Sequence, residues 1–245
     1  MVGIDKYSLQ ARLFPAILAA APALAFVLAN VAATWDALGL PQAVVTLTIT
    51  VLFFAFADLS RRLGRRLEKE MFKSSNGRPF ATVLRHRDQT IDKVSKARYH
   101  TFLAKQISMA MPSEEDEITN PVQADSVYAI ASTFLRERTR DQSKFQVLFA
   151  ENIVYGFRRN LRGLKWVGLF INVVVSVTSA LLIYKDSSSF PLYSAVLAIS
   201  AIHAVYFLFA VTMNSVREAS TQYGRQLVLA SETLKGDRKS KKSKA

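Results

Sequence analysis

The sequence predicts an all-α fold: a multi-pass membrane protein with four transmembrane helices in two hairpins and a helical cytoplasmic region between them. Three observations predict it. Half of the 245 residues are hydrophobic while the net charge is +13, so apolar and basic residues must be segregated along the chain. Four windows are nearly free of charge: Leu13 to Trp35, Leu40 to Ala57, Trp166 to Tyr184 and Pro191 to Met213. Each is close to the ~20 residues that a helix needs to cross the hydrocarbon core. The windows are continuously apolar rather than alternating, which argues against spanning strands.

Taken in order, the N-terminal arm 1–12 leads into the first window. A secretory signal is the rival reading there, but the apolar run exceeds the usual ~7–15-residue signal core. "DALG" joins the first two windows and "KDSSSF" the last two; connections this short require antiparallel hairpins. All but one of the 32 Lys and Arg residues lie outside the hairpin loops, Lys185 being the exception. The positive-inside bias then places both termini and the middle region in the cytoplasm. Trp35, Trp166 and Tyr184 stand at window ends, as interfacial anchors do. The expected organisation is a first hairpin over 1–59, a basic helical region over 60–164, a second hairpin over 165–213 and a basic tail over 214–245.

"DLSRRLGRRLEKEMFK" follows the second window directly. Its arginines, Arg61, Arg62, Arg65 and Arg66, stop transfer and lie among anionic head groups. No strong helix breaker occurs before the "SSNGRP" turn, so the second helix is expected to leave the membrane and reach about Phe72. Another helix is expected from about Thr82 to Met109, with Leu84, Ile91, Val94, Phe102 and Leu103 toward a core. Ser113 ahead of Glu114 and Glu115 starts a short helix. From about Ala124 a long helix, or two collinear ones, runs into the third window, with Val127, Ile130 and Phe134, then Phe145, Leu148, Asn152 and Tyr155, at helical spacing. "GDRKSKKSKA" reads as a disordered basic tail. A helical region of this size completes its core by packing on neighbours, so a homo-oligomer is expected.

Chemistry is sparse. Cysteine is absent, so no disulfide or thiolate metal site arises. Glycine-rich phosphate loops, nucleophile elbows and His-Glu-x-x-His signatures are all missing. The "RHRD" at 85–88 matches the kinase catalytic loop in letters alone. His86, His100 and His203 are far apart in sequence, and the run Glu114, Glu115, Asp116, Glu117 reads as a solvated face. No enzyme, metal or cofactor is expected.

Two sets of residues carry the functional expectations. Asn172, Ser176 and Ser179 recur with Gly168 on one stripe of the third span, Thr46 and Thr50 lie one turn apart in the second, and His203 sits deep in the fourth. Such groups either hydrogen-bond between packed helices or line a water-filled path, and both readings stand. The cations Arg85, Arg87, Lys93, Lys96 and Arg98, with Tyr99 able to stack on a base, form a candidate ligand surface for lipid head groups, nucleic acid or a nucleotide.

Two membrane hairpins around a basic helical region, opening with "IDKYSLQARLFPAILAAAPAL", resemble the small multi-pass membrane effectors of bacterial anti-phage defence, most closely the Hailong type. The resemblance implies an oligomeric channel held shut by an oligodeoxyadenylate that a partner nucleotidyltransferase makes, and opened on loss of that inhibitor to depolarise the membrane. Beside the ligand-gated channel stands a non-conducting membrane scaffold that binds anionic lipid or a protein partner.

Overall fold

A computed structural model describes residues 5–38, 42–74 and 81–242, and the side chains over 5–31, 47–73 and 81–236. The described residues are helical, with no strand among them. The chain begins with α1 (Lys6–Ser8), a π-helical turn (Leu9–Leu13) and α2 (Phe14–Leu38), followed by α3 (Gln42–Ser74). Then come α4 (Lys93–Ile107), α5 (Glu114–Thr119), α6 (Pro121–Arg138), α7 (Gln146–Lys185) and α8 (Phe190–Val205). A second π-helical turn (Tyr206–Ala210) precedes α9 (Met213–Lys242). Among the described residues three helical stretches are long and apolar enough to cross a membrane: Lys6–Val31, Gln146–Lys185 and Ser187–Ala210. The expected second span, from Leu40 to Ala57, lies partly outside the described side chains.

The chain divides into two compact units, one of residues 1–67 and 156–216 and the other of 68–155 and 217–245. The segments expected as hairpins, 1–59 and 165–213, thus fall in the first unit, and the C-terminal segment from 217 belongs to the second.

In the first unit the side chain of Asn160 on α7 is wedged between two other elements. Its Nδ2 donates to the carbonyl of Ala11 in the first π-helical turn at 2.6 Å, and a Cβ on Gly64 of α3 would collide with its Oδ1. One turn on, a Cβ at Gly163 would stand 2.7 Å from the Gly64 nitrogen. Glycine is required at both positions because α3 and α7 cross nearly backbone to backbone. Gly156 gives the same room to Tyr7 and Ala11, and Gly168 to Ala19 and Phe207. Ala19, Leu161, Leu164, Phe207 and Val211 form the core beside this crossing. Farther along, Phe26 stacks on Tyr193 with centroids 5.8 Å apart, and the Tyr193 hydroxyl donates to Asn30 Oδ1 at 2.9 Å.

The last apolar helix ends where Lys165 ends it. Its buried ammonium donates to the carbonyls of Leu208 and Val211, both at 3.0 Å. Carbonyls at a helix C-terminus have no intrahelical partner, and a cation there also meets the negative end of the dipole. The span therefore stops at the π-helical turn, a few residues short of the expected Met213.

The second unit differs from expectation in three places. The helix expected from Thr82 to Met109 begins at Lys93, where Asp92 caps it by accepting from Ser95 N at 2.8 Å. Upstream, the carbonyls of Leu84, Arg85 and Asp88 accept from the His100 and Lys96 side chains, so 85–92 is held as a loop. Val94, expected inward, is exposed as a result. The run from Ala124 is two helices rather than one: Asp141 accepts from Ser143 N at 3.0 Å and Lys144 N at 3.2 Å, an Asx turn that separates α6 from α7. Finally, the segment expected as a disordered tail continues α9 to Lys242, whose Tyr223, Leu227, Val228 and Ala230 are buried. The short helix at Ser113 forms as expected, with a capping box between Ser113 and Asp116.

The crossing predicts a contrast between glycines. Gly163→Ala should destabilise the protein by about 1–3 kcal/mol through overpacking. Gly236→Ala, with nothing within 4 Å, should stabilise by up to ~1 kcal/mol. Thermal unfolding in detergent checks both.

Candidate functional site

The polar residues of the apolar unit are brought together, and they are closed in. Asn172 Nδ2 donates to the carbonyl of Ser200 at 2.7 Å and lies 2.9 Å from His203 Nδ1. Ser176 Oγ donates to Asn172 Oδ1 at 3.3 Å. The His203 ring stacks on Phe207 at 4.1 Å between centroids. Asn172, Ser179, Ser200 and His203 are all buried within one chain, and Ser176 is half-buried. The side chain of Thr46 lies outside the described residues, whereas Thr50 is exposed on α3. Hydrogen bonding between α7 and α8 accounts for the network, worth about 0.6–2 kcal/mol per bond in lipid. The other side of α7 is apolar and exposed, from Trp166 and Phe170 to Val177 and Leu181.

The six residues of the expected ligand surface do not form one surface. Arg85 is buried and pairs with Asp125 through two bonds, Nε to Oδ1 at 2.7 Å and Nη2 to Oδ2 at 2.8 Å. Lys96 is buried, donating to the carbonyls of Arg85 at 2.6 Å and of Asp88. Burial pushes its pKa below the ordinary lysine value, against the pull of Asp88 and Glu117. Tyr99 is buried beneath Lys235, whose ammonium lies 5.0 Å from the ring centroid. Arg98 meets Glu232 at 3.1 Å. Arg85, Lys96 and Tyr99 thus build the unit's interior rather than its surface, because the loop 85–92 turns them inward. Arg87, Lys93 and Arg98 stay exposed.

Arg87 and Lys93 border a cleft of about 540 Å³ between the loop 86–93 and α5, with His86, Gln89, Glu114 and Glu117 around it. Lys93 Nζ is 3.7 Å from Glu114. Glu117 supports the wall: its Oε1 accepts from His86 N at 2.6 Å and from the Tyr128 hydroxyl at 2.5 Å. Burial, then the Glu117 bond, pushes the Tyr128 phenol well above its usual range. The imidazole of His86 meets that of His100 edge-on at 4.9 Å, and its Nε2 bonds Pro112 O at 2.9 Å. This pairing of two histidines distant in sequence, and the part α9 plays through Glu232 and Lys235, escaped sequence reasoning. Asp125 four residues past Pro121 was the available signal for a buried partner to Arg85, though nothing local assigns it. No group of three or more His, Asp or Glu side chains suited to a metal occurs among the described residues.

No family model matches this chain, and no curated protein or solved structure is similar to it.

His100 makes stability depend on pH. Burial lowers its pKa below the ordinary 6.5, a Leu84 hydrogen bond opposes that shift, and His86 and Lys96 add to it. The unfolded chain therefore binds the proton first, and stability falls as pH drops below ~6.5. That window lies above the one in which Asp92 and Asp116 protonate, since hydrogen bonds lower both from 3.8. Melting temperatures from pH 7.5 to 5 should decline, and His100→Gln, which keeps a donor for Leu84 O, should flatten the decline.

Proposed function

We propose that the protein is an oligomeric membrane effector of anti-phage defence, an ion channel controlled by a nucleic-acid-like ligand on its second unit. The observation that carries this reading is that α3, α7 and α9 each contribute residues to both units. A ligand that shifts one end of a continuous helix acts on its other end, which is the physical basis for coupling a binding site to a membrane path. The full arrangement in this reading has four spans in two hairpins, with α3 supplying the second span and both termini cytoplasmic at a bacterial inner membrane.

In such a channel the path runs between protomers. Asn172 and His203 bond one another inside one chain and Ser179 is buried there, so the hydroxylated exposed face of α3, with Thr50, is the better lining. The ligand meets the exposed Arg87, Lys93 and Arg98. Acidic neighbours around the cleft restrict a polyanion to those outward cations, made for this purpose by a partner nucleotidyltransferase. The closed network of Asn172, Ser200 and His203 favours a second reading, a non-conducting scaffold that holds anionic lipid or a protein partner.

Ion flux from liposomes containing the purified protein separates the two. The channel reading expects conductance that a short oligodeoxyadenylate suppresses, and suppression should weaken at least tenfold in Arg87→Ala/Lys93→Ala. Thr50→Leu should lower conductance with insertion unchanged, while Asn172→Leu should lower thermal stability. Absence of flux with and without the oligonucleotide would rule the channel out.

A further inference from the structure

Three cations of the first unit take no part in the sites above. Arg12 follows Ala11, whose carbonyl is held by Asn160, and Arg61 and Arg65 flank Gly64, which receives the same side chain. Asn160 thus brings the first π-helical turn and the charged stretch of α3 to one place. Arg12 is fixed there: its guanidinium carbon lies 5.5 Å from the Tyr7 ring centroid, and Nη1 donates to Ser8 Oγ at 3.1 Å. It is the strongest charge acting on Arg61, and with Arg65 it pulls the Arg61 pKa down; Asp58 and Tyr7 act the other way, more weakly.

The two carboxylates nearby, Asp5 and Asp58, attract Arg12 and Arg61 but are outnumbered by Arg12, Arg61, Arg62 and Arg65. Asp58 is held by Arg62 Nε at 2.6 Å, and Asp5 accepts from Ser8 N at 2.7 Å. Like charges gathered this way repel unless an anion lies among them. Guanidinium groups match the oxygens of a phosphate.

The surroundings say which phosphate. Leu47, Val51 and Phe54 are exposed and lie on one face of α3 with Arg61 and Arg65, by the three-and-four spacing of a helix. An apolar stripe that leads past Asp58 to two arginines, with a third arginine from the first π-helical turn beside them, has the layout of a lipid: chains along the stripe and head group at the cations.

We propose that Arg12, Arg61 and Arg65 form a site for the phosphate of an anionic phospholipid head group, whose acyl chains cover Leu47, Val51 and Phe54. Thr50 stands on this same stripe, so acyl chains here and a water path along it exclude one another, and the site rests on the scaffold reading.

The test uses the full chain purified in zwitterionic detergent, with phosphatidylglycerol, phosphatidylcholine or inorganic phosphate added. Phosphatidylglycerol should raise the melting temperature of the wild type and remain bound in native mass spectrometry. Arg12→Gln/Arg61→Gln should lower that affinity about twenty-five-fold, about fivefold per arginine. Without anionic lipid the same variant should melt no lower than wild type, because it loses repulsion. Arg65→Gln, exposed and outside the helix crossing, gives the same readout should the double variant fail to fold, and Lys185→Gln, at the far end of α7, should leave binding unchanged. Equal phosphatidylglycerol affinity in wild type and variants, or equal binding of phosphatidylcholine, would overturn the site. A melting shift with inorganic phosphate as large as that with phosphatidylglycerol would overturn the lipid assignment.

Discussion

The first unit depends on the carboxamide of Asn160. Its donor satisfies the Ala11 carbonyl, which Pro15, four residues on, has no N–H to meet, and its oxygen fills the space that Gly64 leaves empty. In hydrocarbon, apolar side chains gain nothing by leaving lipid for protein, so helices associate through close packing and interhelical hydrogen bonds. One side chain supplies both here. Gly163 allows the backbones to approach, and Leu161 and Leu164 then meet Phe207 and Val211 in the adjoining core.

The same economy explains why polar groups inside this unit are spent on closure. Asn172 bridges Ser200 and His203, Asn30 receives Tyr193, and Lys165 terminates the last apolar helix. A polar group without a partner is costly where water is absent, and each of these sites answers that cost from a neighbouring helix. The second unit follows a parallel rule in water: Arg85, Lys96 and His100 are turned inward because Asp125 and the carbonyls of a short loop receive them.

Much of the helical plan was legible because hydropathy and charge are local properties of the chain. The apolar windows, the long extension of α3 to Ser74 and the cap at Ser113 all follow from short-range patterns. The break before Lys93 was not, since it is made by His100 and Lys96 reaching back to carbonyls that sequence order does not single out. The Asx turn at Asp141 had a local signal in "RDQS", masked by helical spacing on both sides. Of the candidate sites, the association of Asn172 with Ser176 was readable from i,i+4 spacing, while the tie to His203 spans 31 residues. Cationic residue type alone could not separate exposed Arg87 from buried Arg85, because burial is decided by the distant Asp125.

Two faces of α7 address two sets of neighbours. Gly156 and Asn160 face the first π-helical turn, Asn160 and Gly163 face α3, and Gly168 and Asn172 face Ala19, Phe207 and α8. A helix turns 100° and rises 1.5 Å per residue, so a single inserted or deleted residue between Asn160 and Gly168 would rotate one face away from its partners, and gain or loss of two full turns would restore the angle but displace that face by about 11 Å along the axis. The length of that segment is thus under stronger constraint than most of its side chains, and homologous chains should vary there by substitution far more freely than by indel.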